Sequence, residues 1–362
     1  MPAGSESSFQ LVIIFGSTSL MKAGRGFKEL REAYPSAQFF GCSTAGEIFG
    51  TEVKDDTLVA TAVNFEATQI EGTQINIRDF KNSHLMGEHL ANSLKKENLV
   101  HVIVLSEGLN INGSALVNGL ISNLPKNVTV TGGLSGDGER FGETLVLWGD
   151  QARNDSIAIL GLYGSRLKIG YGSLGGWDPF GPDRLITSSM GNILYELDGK
   201  SALELYKKYL GEHAQGLPAT GLLFPLSLRT RERQNGIVRT ILSVNETDQS
   251  MTFAGDVPEG SFARLMKANF DRLIDGSIEA AKTSNQALGS SSADLAILIS
   301  CVGRKMVLKQ RVEEEVEGVR DILGSSTVLA GFYSYGEISP FEPGAKCELH
   351  NQTMTITTLS EE

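Results

Sequence analysis

Residues 295–304 read LAILISCVGR, residues 331–341 read GFYSYGEISPF and residues 349–353 read LHNQT. An apolar run that passes into a helix-period segment and then into a glycine turn is the pattern of a buried strand, a crossover helix and a second strand. The outline occurs three times. Leu11–Phe15 (LVIIF) leads to GCSTAGE at 41–47, His101–Leu105 (HVIVL) to GGLSGD at 132–137, and Leu295–Ser300 to GFYSYGE at 331–337. From strand start to first glycine the spacings are 30, 31 and 36 residues. Three positions after that glycine stands a small hydroxyl residue, Thr44, Ser135 or Ser334. A glycine-acid pair follows: Gly46-Glu47, Gly136-Asp137 and Gly336-Glu337.

Working outward, the segments between the second and third copies alternate or are β-branched at Glu143–Trp148, Ser156–Leu162, Leu167–Tyr171, Ile237–Val244 and Gln249–Phe253, which predicts strands and makes the sheets mixed. Phe262, Leu265, Met266, Phe270, Leu273, Ile274 and Ile278 follow helical spacing behind Ser261, and Val312, Val316, Val319 and Leu323 make a second stripe. Ser201 to Glu204 has the form of a capping box. The breaker-rich stretch 172–181 (GSLGGWDPFG) reads as a connection able to line a cleft, with Trp177 inside it. The expected fold is α/β, with two modules of mixed β-sheets flanked by helices, built from repeated strand-helix-strand-Gly-turn units. The modules are expected at 9–199 and 200–360.

Composition narrows the function classes. A net charge of -11 opposes phosphate backbones and anionic lipid, so neither nucleic acid nor a membrane surface is an expected partner. The short basic run RTRERQ at 229–234 reads as a solvated turn. No apolar run approaches the roughly 18 to 20 residues that insert in a bilayer, and MPAGSESSFQ at 1–10 lacks the form of a secretory signal. The expected location is cytoplasmic. Cys42, Cys301 and Cys347 are widely spaced with no CxxC, against a disulfide framework or a structural zinc site.

GCSTAGEI at 41–48, the GGLSGD run, GWDPFGP followed by NILYELDGKSALELYKKYL, and GFYSYGEISPF with LHNQT together resemble the FIST family over nearly the whole chain. The resemblance implies a FIST N-like module at 9–199 and a FIST C-like module at 200–360. It also implies a sensory input protein that regulates a separate signalling partner, such as a histidine kinase or a cyclic-dinucleotide enzyme, and that binds a small molecule. Amino acids are a ligand class proposed for the family. One branch of it holds haem and senses nitric oxide, which makes haem a possible cofactor here.

The motif residues are the expected ligand site: Cys42, Ser43, Thr44 and Glu47 in the first copy, and Tyr333, Ser334 and Glu337 in the third. Glycines there permit tight turns that present backbone N–H groups, or simply close hairpins. Ionised Glu47 and Glu337 accept from an ammonium or guanidinium group, whether a ligand's or that of Arg304, whose fork also suits a carboxylate. The internal pair of Arg304 with Glu337 is the preferred reading. Tyr333 and Tyr335 flank Ser334 and are candidates to stack on a planar ligand, while Trp177 is a candidate to line the cleft between the modules. His350 is the candidate axial ligand if haem is bound, or else a structural histidine. Of the other histidines, His89 is expected to pack on its helix, while His101 and His213 show no context. An enzymatic alternative would rest on Cys42, but GxSxG, HExxH, Walker A, GxGxxG and CxxCH are all absent.

Overall fold

Three parallel strand pairs form the frame of the protein, and the computed structural model describes residues 9–24, 26–230, 236–341 and 344–362. In each unit an opening strand (Leu11–Gly16, Leu99–Ser106 or Leu295–Cys301) runs through one or two helices to a parallel motif strand (Gln38–Ser43, Thr129–Leu134 or Val328–Ser334). The opening strands are buried on both faces, so they read as unbroken apolar runs. Alternate residues Leu11, Ile13 and Phe15, Ile103 and Leu105, and Leu295, Ile297 and Ile299 meet in one central cluster between the three sheets. Their neighbours Val12, Ile14, Val104 and Leu298 pack outward into clusters shared with the helices.

After its glycine turn each unit gives its next strand to another unit's sheet. Glu47–Phe49 pairs with Val328–Ser334, Gly336–Pro340 with Thr129–Leu134, and Val146–Trp148 with Gln38–Ser43. The exchange closes a ring, and three backbone hydrogen bonds repeat it at the turns. Ala45 N donates to Tyr333 O (2.8 Å), Tyr335 N to Leu134 O (3.2 Å) and Gly136 N to Ser43 O (3.0 Å). Each donor follows a motif hydroxyl residue and each acceptor precedes one. Thr44, Ser135 and Ser334 are therefore equivalent positions about a pseudo-threefold axis.

Each unit then returns antiparallel beside its own opening strand, through Leu58–Val63, Ser156–Tyr163 and Met354–Glu361. Gln69–Asn76 lies outside the second return strand and Leu167–Leu174 outside the third, so the three sheets hold five, six and six strands. Between Asp178 and Lys267 the chain forms an inserted eight-stranded antiparallel sheet, with its own core around the helix Ala202–Leu210. Ser201 caps that helix by accepting from Glu204 N, as its spacing predicts. Lys200, the expected module boundary, lies in a short strand of this sheet.

The mixed α/β character follows the sequence reading, but most of the expected connection at 172–181 is strand, within Leu167–Leu174 and Asp178–Met190. The stripe from Phe262 to Ile278 is two elements, a strand Phe262–Lys267 and a helix Phe270–Ala287. Ser261 donates to the Pro258 carbonyl, and the helix starts instead at Asn269, whose side chain accepts from Arg272 N. Phe262, Leu265 and Met266 satisfy a helical spacing, but alternate burial at Ala263 and Leu265 and pairing with Leu226–Arg229 fix them as strand. The basic run at 229–234 lies outside the described residues from 231 onward.

Candidate functional site

The first glycine of each motif is required by packing. A Cβ on Gly41, Gly132 or Gly331 would stand 1.8, 1.9 or 1.9 Å from the carbonyl oxygen of Ile14, Val104 or Leu298, its partner on the parallel strand. These glycines serve close strand approach, while Gly46 adopts a positive φ of 135° that places the Glu47 carboxylate.

The acids close the turns. In the third unit, Glu337 accepts from Ser334 Oγ at 2.7 Å, Thr353 N at 3.1 Å and Thr353 Oγ1 at 3.0 Å. The first unit repeats this, with Glu47 accepting from Thr44 Oγ1, from Thr57 N at 3.0 Å and from Thr57 Oγ1 at 2.6 Å. Each glutamate thus staples a turn to the start of the return strand. Burial pushes the Glu337 carboxyl up to about 8 and raises that of Glu47, against the hydrogen bonds that lower both. In the second unit Asp137 instead accepts from the backbone N–H groups of Phe141, Gly142 and Glu143 and from the Tyr335 hydroxyl, which holds the loop 138–140 against the third unit.

Only one of the equivalent glutamate turns opens outward. Ser334 and Glu337 are completely buried, and beside them Gln352 donates to Leu222 O and Thr240 of the inserted sheet's side of the molecule. The first-unit turn instead floors a cavity of about 590 Å³. Its walls come from all three units: Ser17, Thr44–Glu47, Val53, Asp55 and Asp56, then Gly138–Arg140, then Val302, Lys305, Met306, Lys309 and Val312. Four carboxylates (Glu47, Asp55, Asp56, Glu139) and three cations (Arg140, Lys305, Lys309) share it. Lys305 Nζ donates to Ala45 O at 3.0 Å and pairs with Asp55, which ties the third-unit helix Val302–Leu308 to the first-unit turn.

Residues 10–200 match the family model of the FIST N domain, and residues 202–340 match that of the FIST C domain. The chain belongs to the FIST family. FIST domains are sensory signal-transduction domains. A relative from Methanocaldococcus jannaschii, the uncharacterised protein MJ1623, is 22% identical over 339 residues, or 86% of this chain, and the chain spans 62% of that protein's length. Two solved cyanuric acid hydrolase structures, one from A. caulinodans, match 82% of this chain at 9% and 10% identity. They are covered to 99% and 69%, with TM-scores of 0.19 and 0.25.

In this FIST protein Thr44 and Glu47 are the residues singled out from sequence that line the cavity. Ser43 is turned away, donating to Gly136 O and accepting from Leu145 N, both at 2.8 Å. Arg304 does not pair with Glu337. Its guanidinium donates through Nε and Nη2 to one oxygen of Glu315, Oε2, at 3.0 and 2.7 Å, both side chains fully buried, and donates to Leu273 O at 2.6 Å. Tyr333 donates to the same Glu315 at 2.6 Å, so its hydroxyl completes the pair and its ring is interior. Trp177 is buried among Met266, Leu273, Val307 and Leu308.

Cys42 is sealed in the central cluster, where burial pushes its thiol well above the usual range, against a nucleophilic role. His350 sits opposite Glu337 on adjacent strands. Its Nε2 lies 2.7 Å from the Ser339 carbonyl and its ring is edge-on to Phe341 at 4.1 Å. A carbonyl only accepts, so Nε2 carries the proton and offers iron no lone pair. His350 therefore does not fit axial haem ligation through Nε2. His101 is a core histidine bonded to Thr129 and Thr131, its pKa pushed down to about 3 by burial.

The sequence reading missed Lys305, Lys309, Asp55, Asp56, Glu139 and Arg140. One signal was present. Arg304 and Lys305 are adjacent in a helix, so a buried Arg304 turns Lys305 to another side.

Proposed function

We propose that this FIST protein is a small-molecule sensory input protein, which binds an amino-acid-like zwitterion in the 590 Å³ cavity and regulates a separate signalling partner such as a histidine kinase or a cyclic-dinucleotide enzyme. The cavity itself carries the reading. It has the size of a small-ligand site and is lined by residues of both family-matched segments, 10–200 and 202–340. Carboxylates and cations together in one cavity suit a ligand that brings both charges, since each desolvated charge needs a partner. Occupancy would load the Lys305 contact between the turn and the helix, and so couple binding to the relative position of first and third units.

A thermal-shift panel of amino acids, polyamines and organic acids tests this. A ligand at a hundred times its dissociation constant adds about 2.7 kcal/mol, which for a chain of this length raises Tm by about 3–4 °C. Lys309→Ala and Glu139→Ala, both on the cavity wall, are expected to abolish the shift without lowering the unliganded Tm. A panel without any shift, or a shift that both variants retain, refutes the site.

A further inference from the structure

The pseudo-threefold arrangement leaves one position unfilled. The return strands Ser156–Tyr163 and Met354–Glu361 are covered on their outer edge by Gln69–Asn76 and Leu167–Leu174, and are buried along almost their whole length. The first-unit return strand, Leu58–Val63, pairs only with Leu11–Gly16 among the described residues, and each of its six residues is half-buried. Its sequence is LVATAV, without a charge, proline or glycine. Edge strands that face water are commonly blunted by charge, proline or bulges. This one is written like its two interior counterparts and placed on an edge.

The hydrogen-bonding direction follows from the register. Ser17 N donates to Thr57 O at 3.0 Å, so Thr57 faces the opening strand. Alternation in an antiparallel ladder turns Val59, Thr61 and Val63 the same way, and leaves the N–H and C=O groups of Leu58, Ala60 and Ala62 on the open edge.

We infer that this edge is the dimer interface of the protein, with the Leu58–Val63 strands of two copies paired antiparallel about a twofold axis at Ala60. A twofold brings a strand beside itself in antiparallel sense without any other chain. Centred on Ala60, it sets Ala60 against Ala60 of the second copy, and Leu58 against Ala62. All three outward residues are then matched, in about six interchain hydrogen bonds. Outside them Thr57 meets Val63, and the ladder goes no further toward the acids, because the chain bends at Asp55 and Asp56, where Asp56 has a φ of 55°. The central residue is small, and the uncharged strand offers its own copy nothing to repel. The two five-stranded sheets become one of ten.

Sedimentation and residue-resolved amide exchange on the full chain test the inference. Expected are a dimer at about 10 μM and protection of the Leu58, Ala60 and Ala62 amides that is lost on dilution to monomer. Ala60→Pro removes an outward N–H, which a free edge tolerates. It is expected to leave Tm within a few degrees and weaken dimerisation at least about a hundredfold, with Ala62→Pro as the second variant if Ala60→Pro does not fold. A protein that stays monomeric at about 100 μM with these three amides in fast exchange overturns the proposal. So does a dimer that persists in the folded proline variant, or an edge protected equally in the monomer.

Discussion

Replacing Arg304 by methionine isolates the buried ion pair that anchors the cavity's helix. Glu315 is fully buried and accepts from Arg304 Nε and Nη2, from Tyr333 at 2.6 Å and from Ser300 at 3.2 Å. Arg304→Met removes the cation and both guanidinium bonds while keeping much of the volume, and leaves an ionised carboxylate in the interior with two hydroxyl donors. Breaking a buried pair on one side costs about 3–5 kcal/mol, whereas replacing both partners by apolar groups is often near neutral. Arg304→Met is therefore expected to cost about 4 kcal/mol, and Arg304→Met with Glu315→Leu no more than about 2 kcal/mol. The second change strands the Tyr333 and Ser300 hydroxyls, which accounts for most of that residue. Urea unfolding followed by tryptophan fluorescence reads this, since Trp177 packs on Leu273, whose carbonyl Arg304 also binds. Lys305 is the next residue on the same helix, so Arg304→Met is also expected to weaken ligand binding in the thermal-shift assay. A single variant that loses less than about 1 kcal/mol, or a double variant that loses the sum of the two singles, refutes this account of the pair.

Glu337→Gln is expected to flatten the pH dependence of stability. A carboxyl held near 8 in the folded state but ordinary when unfolded keeps its proton only in the fold, so stability falls as pH rises from about 5 to 8. Tm measured across that range should decline less steeply in the variant, and equal slopes would remove Glu337 as the cause. Gly331→Ala forces a Cβ to within 1.9 Å of the Leu298 carbonyl and is expected to cost about 3 kcal/mol or more, read by urea unfolding. Gly142→Ala, whose Cβ would meet only Asp137 Oδ2 at 3.5 Å, should stay within about 0.5 kcal/mol. Tyr335→Phe removes the hydroxyl that bonds Asp137 and Gly138 O, at an expected cost of about 1–2 kcal/mol. Because that loop carries Glu139 and Arg140, isothermal titration should also show weaker ligand binding.

The strand-helix-strand units and their glycine turns were legible because each rests on local chemistry: a doubly buried strand has to be apolar, and Gly41, Gly132 and Gly331 have no alternative where a carbonyl sits against the backbone. The exchange of strands between units was not legible. Glu47–Phe49 reads identically whether it pairs with its own unit or with Val328–Ser334, since pairing partners at long separation leave no periodic trace. The site divides along the same line. Thr44 and Glu47 were found through their motif, whereas Asp55, Glu139 and Lys309 converge on the cavity only because three distant segments meet there. Arg304 was noticed for its charge at a strand end, and its true partner, Glu315, is one acid among several on an amphipathic helix.

The ring of exchanged strands sets an order of events during synthesis. Phe49 finds its partner, Ala330, only after the chain has been made as far as the third unit, and Ile338 must then reach back to Gly132 before the second sheet is complete. Until that moment the emerging chain carries open apolar strand edges. Contacts of such long separation are paid for in loop-closure entropy before any packing rewards them, so folding is expected to be slow and to wait for the third unit.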